Sequence, residues 1–223
     1  MISLRQPQLV LIDVDGTLVD SVPDLAYCID QTMVELGLPR RGEESVRSWV
    51  GNGVETLVQR ALSNSLDGEV DQPLFEKALP IFWALYKDNV CVRSHLYEGV
   101  QEGLEYLQSK QYRLGCVTNK ARAFTMPLLT ALGITDFFEV FVCGDDTARK
   151  KPDPLPLLHA AEQLSIDPEQ ALMLGDSKSD VQAARAAGFQ IICMSYGYNH
   201  GEDIRRYDPD AVIDSMAQLE ELI

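Results

Sequence analysis

Short apolar runs alternate with segments of helical period along most of the chain. The runs are apolar at successive positions rather than at every second position, which is typical of strands covered on both faces in a parallel sheet. This alternation predicts an α/β fold with a doubly wound parallel sheet. Strands are predicted at 9–12, 114–117, 140–143, 171–174, 191–194 and 211–213. Helices are predicted at 100–110, 121–132, 154–164 and 179–187, with a short helix after the last strand.

The pattern changes between the first predicted strand and residue 100. This stretch has helical period and no convincing strand. Ser21 and Asp24 resemble a capping box at the start of its first helix, which ends at Gly37. Further helices are predicted at 43–49, 54–64 and 73–88. We therefore expect an all-helical domain at 17–89, inserted in an α/β core domain formed by 1–16 and 90–223.

The charge and composition narrow the possible partners. Nucleic-acid surfaces need an excess of Lys and Arg, whereas the formal net charge is −15 and no basic cluster is longer than 149–151. The five cysteines form no Cys-x-x-Cys pair, as in reduced cytosolic proteins. The first apolar run is short and broken by acids, unlike a signal peptide or a membrane span. We expect a cytoplasmic monomer or homodimer with no nucleic-acid or membrane partner.

Two acids, Asp13 and Asp15, follow the first predicted strand. Side chains two positions apart on a strand point the same way, and Gly16 then allows the chain to turn. In open α/β sheets, ligands bind at the carboxyl ends of the strands. Two carboxylates this close raise each other's pKa unless a cation lies between them. The pair therefore indicates a ligand site or, taken alone, an ordinary turn with acidic residues.

More polar residues follow other predicted strands. Asp176 comes just after one strand, and Asp180 lies one helical turn later. Parallel strands would bring these acids to the same edge as Asp13, where a hard divalent cation, most simply Mg²⁺, would balance their charge. Thr118 and Lys151 follow two further strands and supply a hydroxyl and an ammonium group. Such groups suit a phosphoryl group, whose charge is spread over several oxygens.

These elements occur together in one known family. The order of Asp13-Val-Asp-Gly-Thr17, Thr118, Lys151 and the stretch 175–180 resembles that of the haloacid dehalogenase superfamily of aspartate-nucleophile phosphatases, over essentially the whole chain. The resemblance implies a Rossmann-like core, in which the helical insertion is the small cap of the family. Looser matches are similar to bacterial members that act on a small phosphate monoester with a carboxylate; they lie at 49–53, 117–120, 144–146, 150–152 and 196–199.

The resemblance implies a role for each acid. Asp13 would attack the phosphorus and form an aspartyl-phosphate, and Asp15 would protonate the leaving alkoxide and later deprotonate the hydrolytic water. Mg²⁺ would be held by Asp13, by the backbone carbonyl of Asp15 and by Asp176. Asp180 would bind the ion directly or hold one of its water molecules. The partner would be a small-molecule phosphate ester.

Further residues would contact the substrate. Thr118 would hydrogen-bond the phosphoryl oxygens, with Asn119 nearby. Lys151 would neutralise the charge of Asp13 and of the phosphate. Lys150 is the alternative, because two adjacent lysines cannot be separated by sequence.

The cap would bind the rest of the substrate. Gly51 and Gly53 would bring backbone donors close to a small carboxylate, and Asn52 would add its side-chain amide. A plain turn between two helices is the alternative interpretation of this segment.

Other functions are weighed against this hypothesis. Cys116 and Arg122 match the Cys-x₅-Arg pattern of cysteine-dependent phosphatases, but that chemistry needs an exposed cysteine of low pKa, whereas Cys116 lies in an apolar strand. A phospho-accepting switch domain would use similar acids, but such domains are shorter and lack a helical insertion. A phosphatase for another small phosphate ester or sugar phosphate, and a phosphosugar mutase, would share the nucleophile.

Overall fold

The computed structural model describes residues 4–223. Residues 1–3 of the predicted core segment lie outside the described residues. The strands of the described part are, in chain order, β1 (Leu9–Ile12), β2 (Val19–Asp20), β3 (His95–Leu96), β4 (Arg113–Val117), β5 (Val140–Val142), β6 (Ala171–Gly175), β7 (Gln190–Met194) and β8 (Ala211–Ile213). Its α-helices are α1 (Val22–Glu35), α2 (Glu43–Trp49), α3 (Val54–Ser63), α4 (Gln72–Asp88), α5 (Val100–Ser109), α6 (Arg122–Ala131), α7 (Leu155–Gln163) and α8 (Lys178–Ala187).

Six strands form one parallel sheet in the order β5–β4–β1–β6–β7–β8. The predicted fold class is confirmed. The predicted strands and helices agree with the structure to within one residue at each end, except that α1 ends at Glu35, two residues before the predicted Gly37. The short helix expected after the last strand is a 3₁₀ helix, Met216–Glu221. No helix in residues 4–223 is both long enough and apolar enough to cross a membrane.

The register of the central strand sets the position of the functional edge. Ile12, the last residue of β1, lies beside Cys116 of β4 on one side and Leu174 of β6 on the other. The residues that follow these three strands therefore emerge level with one another. Because all three strands are parallel, their carboxyl ends meet at one edge of the sheet.

The central strand is buried on both faces. Val10 and Ile12 pack in a cluster with Leu104 and Leu128, which lie in α5 and α6. Leu9 and Leu11 point to the opposite face and pack in a second cluster with residues of α7 and α8. This double coverage explains why the strand is apolar at every position instead of alternating.

The helical insertion has an apolar cluster of its own. Residues of α1 to α4 surround Ile29 and Phe82, both fully buried. Two residues from outside the insertion, Phe124 and Tyr198, belong to the same cluster. The insertion therefore packs directly against the edge of the sheet where the polar motifs lie.

A short ribbon joins the two segments that connect the insertion to the core. The strands β2 and β3 pair antiparallel, with Val19 beside Leu96 and Asp20 beside His95. The prediction of no strand in this stretch was wrong, because two-residue strands are too short to show an alternating pattern.

The predicted capping box at the start of α1 was also wrong. The helix begins where expected, after Ser21 and with proline in its first turn, but Ser21 makes no capping hydrogen bond. Its hydroxyl donates instead to Asp15 Oδ1 at 2.6 Å. Asp24 accepts hydrogen bonds from the backbone of 92–94. Both side chains that would have formed the capping box therefore make hydrogen bonds to residues outside α1 instead.

Candidate active site

The predicted motif residues meet at the carboxyl edge of the sheet. Lys151 Nζ lies 3.0 Å from Asp13 Oδ1 and 2.7 Å from Asp180 Oδ1, and it donates to the Val117 carbonyl at 2.8 Å. The side chain of Lys151 is only 1% exposed, whereas that of Lys150 is 37% exposed and lies 3.5 Å from Glu55 of the insertion. The structure therefore places Lys151, and not Lys150, beside the first acidic motif.

Asp13, Asp176 and Asp180 form a buried acidic cluster. One carboxylate oxygen from each lies within 4.8 Å of the others. Burial raises the pKa of Asp13 to about 6, although Lys151 opposes this and Asp180 adds to it. Burial, and then the charges of Asp180 and Asp13, raise the pKa of Asp176 well above its ordinary value. One lysine cannot balance three such acids, and their hard oxygen donors fit a divalent cation.

Two glycines make room for the carboxylate of Asp176. A Cβ on Gly16 would lie 2.3 Å from Asp176 Oδ2, and a Cβ on Gly197 would lie 2.1 Å from Asp176 Cβ. Thr17 Oγ1 donates to one carboxylate oxygen at 2.7 Å, and the backbone N–H of Tyr198 donates to the other at 2.6 Å. These contacts hold the carboxylate in one orientation.

Asp180 is held by its own helix. Its Oδ2 accepts hydrogen bonds from the Ser177 N–H at 3.0 Å and from the Ser177 hydroxyl at 2.7 Å, as in a capping box at the start of α8. The same oxygen accepts a hydrogen bond from the Asp176 N–H at 3.2 Å. Its other oxygen contacts Lys151. Asp180 therefore positions Lys151 in addition to lying in the acidic cluster.

Asp15 pairs with Lys120, a residue that was not predicted from the sequence to belong to the site. Lys120 Nζ lies 3.0 and 3.1 Å from the two carboxylate oxygens of Asp15. Burial lowers the pKa of Lys120, but Asp15 and then Tyr86 outweigh burial, and the pKa is raised overall. The sequence signal was present, since Lys120 closes the polar stretch directly after β4.

Thr118 and Asn119 differ in the freedom of their side chains. Thr118 Oγ1 accepts a hydrogen bond from the Lys120 N–H at 3.2 Å, which leaves its hydroxyl hydrogen for a ligand. Asn119 Nδ2 donates to the carbonyls of Gly51 and Lys151, both at 3.0 Å, and Oδ1 accepts from the Lys151 N–H at 2.9 Å. Asn119 thus joins the insertion to the segment of the buried lysine.

A cavity lies between the sheet edge and the insertion. Asn52 is not among its lining residues, and its Oδ1 accepts a hydrogen bond from Arg60 Nη1 at 2.9 Å. The insertion supplies mainly apolar walls, while the core supplies the polar ones. The lining residues are Leu25, Val50, Gly51, Gly53, Val54 and Leu57 from the insertion, and Asp13, Asp15, Thr118, Asn119 and Lys120 from the core.

Comparison with known proteins identifies the family. The haloacid dehalogenase-like hydrolase family matches residues 10–194, a range that includes Asp13, Thr118, Lys151 and Asp180. The chain belongs to this family. A phosphoglycolate phosphatase of Nitrosococcus oceani is 62% identical over 220 residues, covering 99% of this chain and 98% of the relative. One of Nitrosospira multiformis is 46% identical over 214 residues, covering 96% and 94%.

A solved structure agrees with these relatives. The crystal structure described as a predicted phosphoglycolate phosphatase from Haemophilus somnus matches this hydrolase with a TM-score of 0.92 at 35% identity, covering 98% of this chain and 99% of the other. The predictions of the family and of an enzyme are therefore confirmed. The looser sequence matches are also explained, since they are similar to bacterial phosphoglycolate phosphatases. The interpretation as a non-enzymatic switch domain gains no support.

The rival cysteine nucleophile lies in an unsuitable environment in this hydrolase. Cys116 is fully buried in β4. Burial, with added repulsion from Cys143 and Asp13, raises the pKa of the thiol well above its ordinary value. A nucleophilic cysteine requires the opposite shift, because the thiolate is the reactive form.

Proposed function

We propose that this hydrolase is a Mg²⁺-dependent phosphatase that converts 2-phosphoglycolate into glycolate and phosphate through an aspartyl-phosphate on Asp13. The observation that carries the proposal is the placement of Asp13 beside Lys151, in a cavity that it shares with Asp15 and Thr118. The relatives named phosphoglycolate phosphatase support the choice of substrate, since they match over nearly the whole chain.

The acidic cluster supports the choice of cofactor. Asp13, Asp176 and Asp180 would hold Mg²⁺, together with the backbone carbonyl of Asp15. When bound, the ion would supply positive charge that offsets the charge of the acids and of the phosphoryl oxygens. The three acids already lie close enough to share one ion, with oxygen atoms within 4.8 Å of one another.

The first step would transfer the phosphoryl group to the protein. Asp13 would attack the phosphorus, forming a bond from its carboxylate oxygen to phosphorus while the bond to the leaving oxygen breaks. Lys151 would hold Asp13 in position and offset the incoming negative charge. The free hydroxyl hydrogen of Thr118 would donate to a phosphoryl oxygen. Asp15 would give a proton to the leaving alkoxide, which departs as glycolate.

The second step would release phosphate. Asp15, now deprotonated, would take a proton from a water molecule as that water attacks the phosphorus. The bond between phosphorus and Asp13 would break, which restores the carboxylate. The two acids therefore need different surroundings, and each is paired with a separate lysine.

We also propose that residues 17–89 act as a cap on a core formed by 1–16 and 90–223. The separate apolar cluster of the insertion and the cavity beneath it support this division. Gly51 and Gly53 line the cavity and would contact the leaving group. Asn52 would have to leave Arg60 to present its amide.

A panel of small phosphate monoesters, assayed with Mg²⁺ and with chelator, tests the proposed function. We expect 2-phosphoglycolate to have the highest kcat/KM and chelator to abolish turnover. Preference for a sugar phosphate would replace the substrate but keep the class. Isomerisation without release of phosphate would indicate a mutase.

The intermediate is tested separately. Borohydride reduces an acyl phosphate to an alcohol, so trapping during turnover should convert Asp13 to homoserine, detected by mass spectrometry. The Asp13→Asn variant should show neither turnover nor homoserine at position 13. Wild-type turnover by this variant would contradict the mechanism.

A further inference from the structure

We propose that Lys120 determines substrate specificity by binding the carboxylate of the leaving group. This inference rests on the proposed phosphatase function. It assigns recognition of the carboxylate to a core residue, whereas that role was predicted from the sequence for the segment 51–53. It defines the substrate class as small phosphate monoesters that carry a second anionic group close to the ester oxygen.

The charges around the cavity lead to this residue. Among the described residues that line it, Lys120 is the only cation. Nearby cations of the insertion are engaged elsewhere: Arg47 pairs with Asp20 and Glu43, and Arg60 donates to the Trp49 carbonyl and to Asn52. Lys150 Nζ lies near the cavity, 2.9 Å from where a Cβ on Gly53 would be, but it pairs with Glu55. An anionic leaving group therefore meets one side-chain cation among the lining residues.

Lys120 retains a donor for such a group. An ammonium group can donate three hydrogen bonds, and the hydrogen bonds that Nζ makes within residues 4–223 are the two to the carboxylate of Asp15. Nζ also lies over the ring of Tyr86, 4.9 Å from its centroid. The side chain is only 3% exposed, so water does not screen it strongly. A ligand would therefore need to compete only with the Tyr86 ring for the third N–H, in a setting of low dielectric constant.

The distances fit a short substrate. Asp15 must touch the ester oxygen to protonate it, and Lys120 Nζ lies 3.0 Å from the Asp15 carboxylate. In 2-phosphoglycolate, the carboxylate carbon is only two bonds from the ester oxygen. A carboxylate so close to the point of contact with Asp15 would lie within reach of Lys120.

A buried hydroxyl beside Lys120 offers a second contact. The ring centroid of Tyr86 lies 4.9 Å from Lys120 Nζ, and its hydroxyl has no hydrogen-bond partner within residues 4–223. Burial raises the pKa of Tyr86, so the group stays protonated and able to donate. Unpaired buried hydroxyls are uncommon in folded proteins. The Tyr86 hydroxyl would donate to the same anion as Lys120.

Another wall of the cavity also favours an anion. Gly53 and Val54, at the start of α3, line the cavity. The first N–H groups of a helix lack partners within the helix and carry partial positive charge. This charge adds to that of Lys120, although Glu55 in the same turn partly opposes it.

The test compares two substrates of nearly equal size. In 2-hydroxyethyl phosphate, a neutral alcohol replaces the carboxylate of 2-phosphoglycolate. Lys120→Met removes the counter-ion of Asp15 and should slow both substrates. It should lower kcat/KM for 2-phosphoglycolate about 10- to 100-fold further, since only that substrate loses a charged hydrogen bond. Tyr86→Phe should lower kcat/KM for 2-phosphoglycolate several-fold relative to kcat/KM for 2-hydroxyethyl phosphate.

Controls separate recognition from structural damage. Lys110→Met, at an exposed position, should leave the ratio of the two kcat/KM values unchanged. Lys120→Gln provides a second variant in case the methionine variant does not fold. An unchanged ratio in a folded Lys120 variant would overturn the proposal, because a purely structural role would affect both substrates equally.

A binding measurement decides the question independently of turnover. In the Asp13→Asn background with Mg²⁺, calorimetry should show tighter binding of 2-phosphoglycolate than of 2-hydroxyethyl phosphate. Adding Lys120→Gln should remove this preference. Its persistence would refute the role of Lys120. Absence of hydrolysis by the wild-type protein would refute the proposed function alone.

Discussion

Two acids that stand two residues apart in the sequence meet different lysines in the folded chain. Asp13 contacts Lys151 at 3.0 Å, and Asp15 contacts Lys120 at 3.0 Å. In the proposed mechanism, Asp13 as nucleophile has to stay ionised, whereas Asp15 as general acid has to exchange a proton during turnover. Separate partners allow the surroundings of the two carboxylates to be set independently.

The difference between the adjacent lysines leads to a prediction. Lys151→Met should lower kcat about 100-fold or more, because it removes a positive charge beside the proposed nucleophile, Asp13. Lys150→Met should retain kcat within a few-fold, since its side chain faces Glu55 at the surface. Steady-state kinetics on both variants checks this. If Lys150→Met lowered kcat by much more than a few-fold, Lys150 would also act in the active site.

The space around Asp176 leads to a second prediction. Gly197→Ala would place a Cβ 2.1 Å from Asp176 Cβ and push its carboxylate out of position. Apparent Mg²⁺ affinity should fall about 10-fold or more. Gly201→Ala in the same loop is the control for metal binding: alanine is strained at its φ of +81°, but its Cβ would have no neighbour within 4 Å and would leave Asp176 in place. Titration of activity with Mg²⁺ measures both, and equal affinity in the two variants would contradict the argument.

At the scale of elements, one buried acid ties the insertion to its second connection. Asp24 of α1 accepts hydrogen bonds from the N–H groups of Val92, Arg93 and Ser94 and from the Ser94 hydroxyl, at 2.7–3.0 Å. Burial alone would raise the pKa of Asp24, but the hydrogen bonds from Arg93 and Ser94 outweigh it and lower the pKa below its ordinary value. The ionised form is therefore the one that stabilises the fold.

The lowered pKa of Asp24 makes the free energy of unfolding depend on pH. A lowered folded-state pKa contributes stability above the ordinary value of 3.8, and this stability is lost as the pH falls through the lower folded value. Asp24→Asn should reduce the free energy of unfolding by about 3 kcal/mol at pH 7 and by less below about pH 3.5. Denaturant unfolding at both pH values checks this.

Asp88→Asn is the control for that prediction, because Asp88 is exposed. It should change the free energy of unfolding by less than about 0.5 kcal/mol at either pH. If Asp24→Asn had the same effect at both pH values, the stabilisation would come from the shape of the side chain and not from its charge.

At the scale of the whole molecule, metal binding by the acidic cluster would couple to stability. Mg²⁺ at about 100 times its Kd should stabilise the protein by about 2.7 kcal/mol, because the unfolded chain does not gather the acids. Asp176→Asn should abolish this gain and raise the metal-free melting temperature, since it removes a buried carboxylate that lies beside two other acids. Thermal unfolding with Mg²⁺, and with Na⁺ at equal ionic strength, measures both effects.

Much of this architecture could be predicted from local patterns. Strands such as β1 and β6 are apolar at every position because helices cover both faces, and that pattern is visible in the sequence. The ribbon of β2 and β3 could not be predicted, since it depends on pairing between residues far apart in the chain. The supposed capping box at Ser21 and Asp24 failed for the same reason.

The sequence by itself determined the α/β class, the helical insertion and the identity of the acids, because hydrophobic period and motif order are local properties. Only the tertiary structure decided which lysine faces which acid. Lys120 and Asp15 are 105 residues apart, and the parallel register of β1 and β4 brings them together. It also decided that Asn119 holds Lys151, since packing brings together two segments 32 residues apart. The contact of Asn52 with Arg60 spans only eight residues, but it depends on how the turn before α3 places the two side chains.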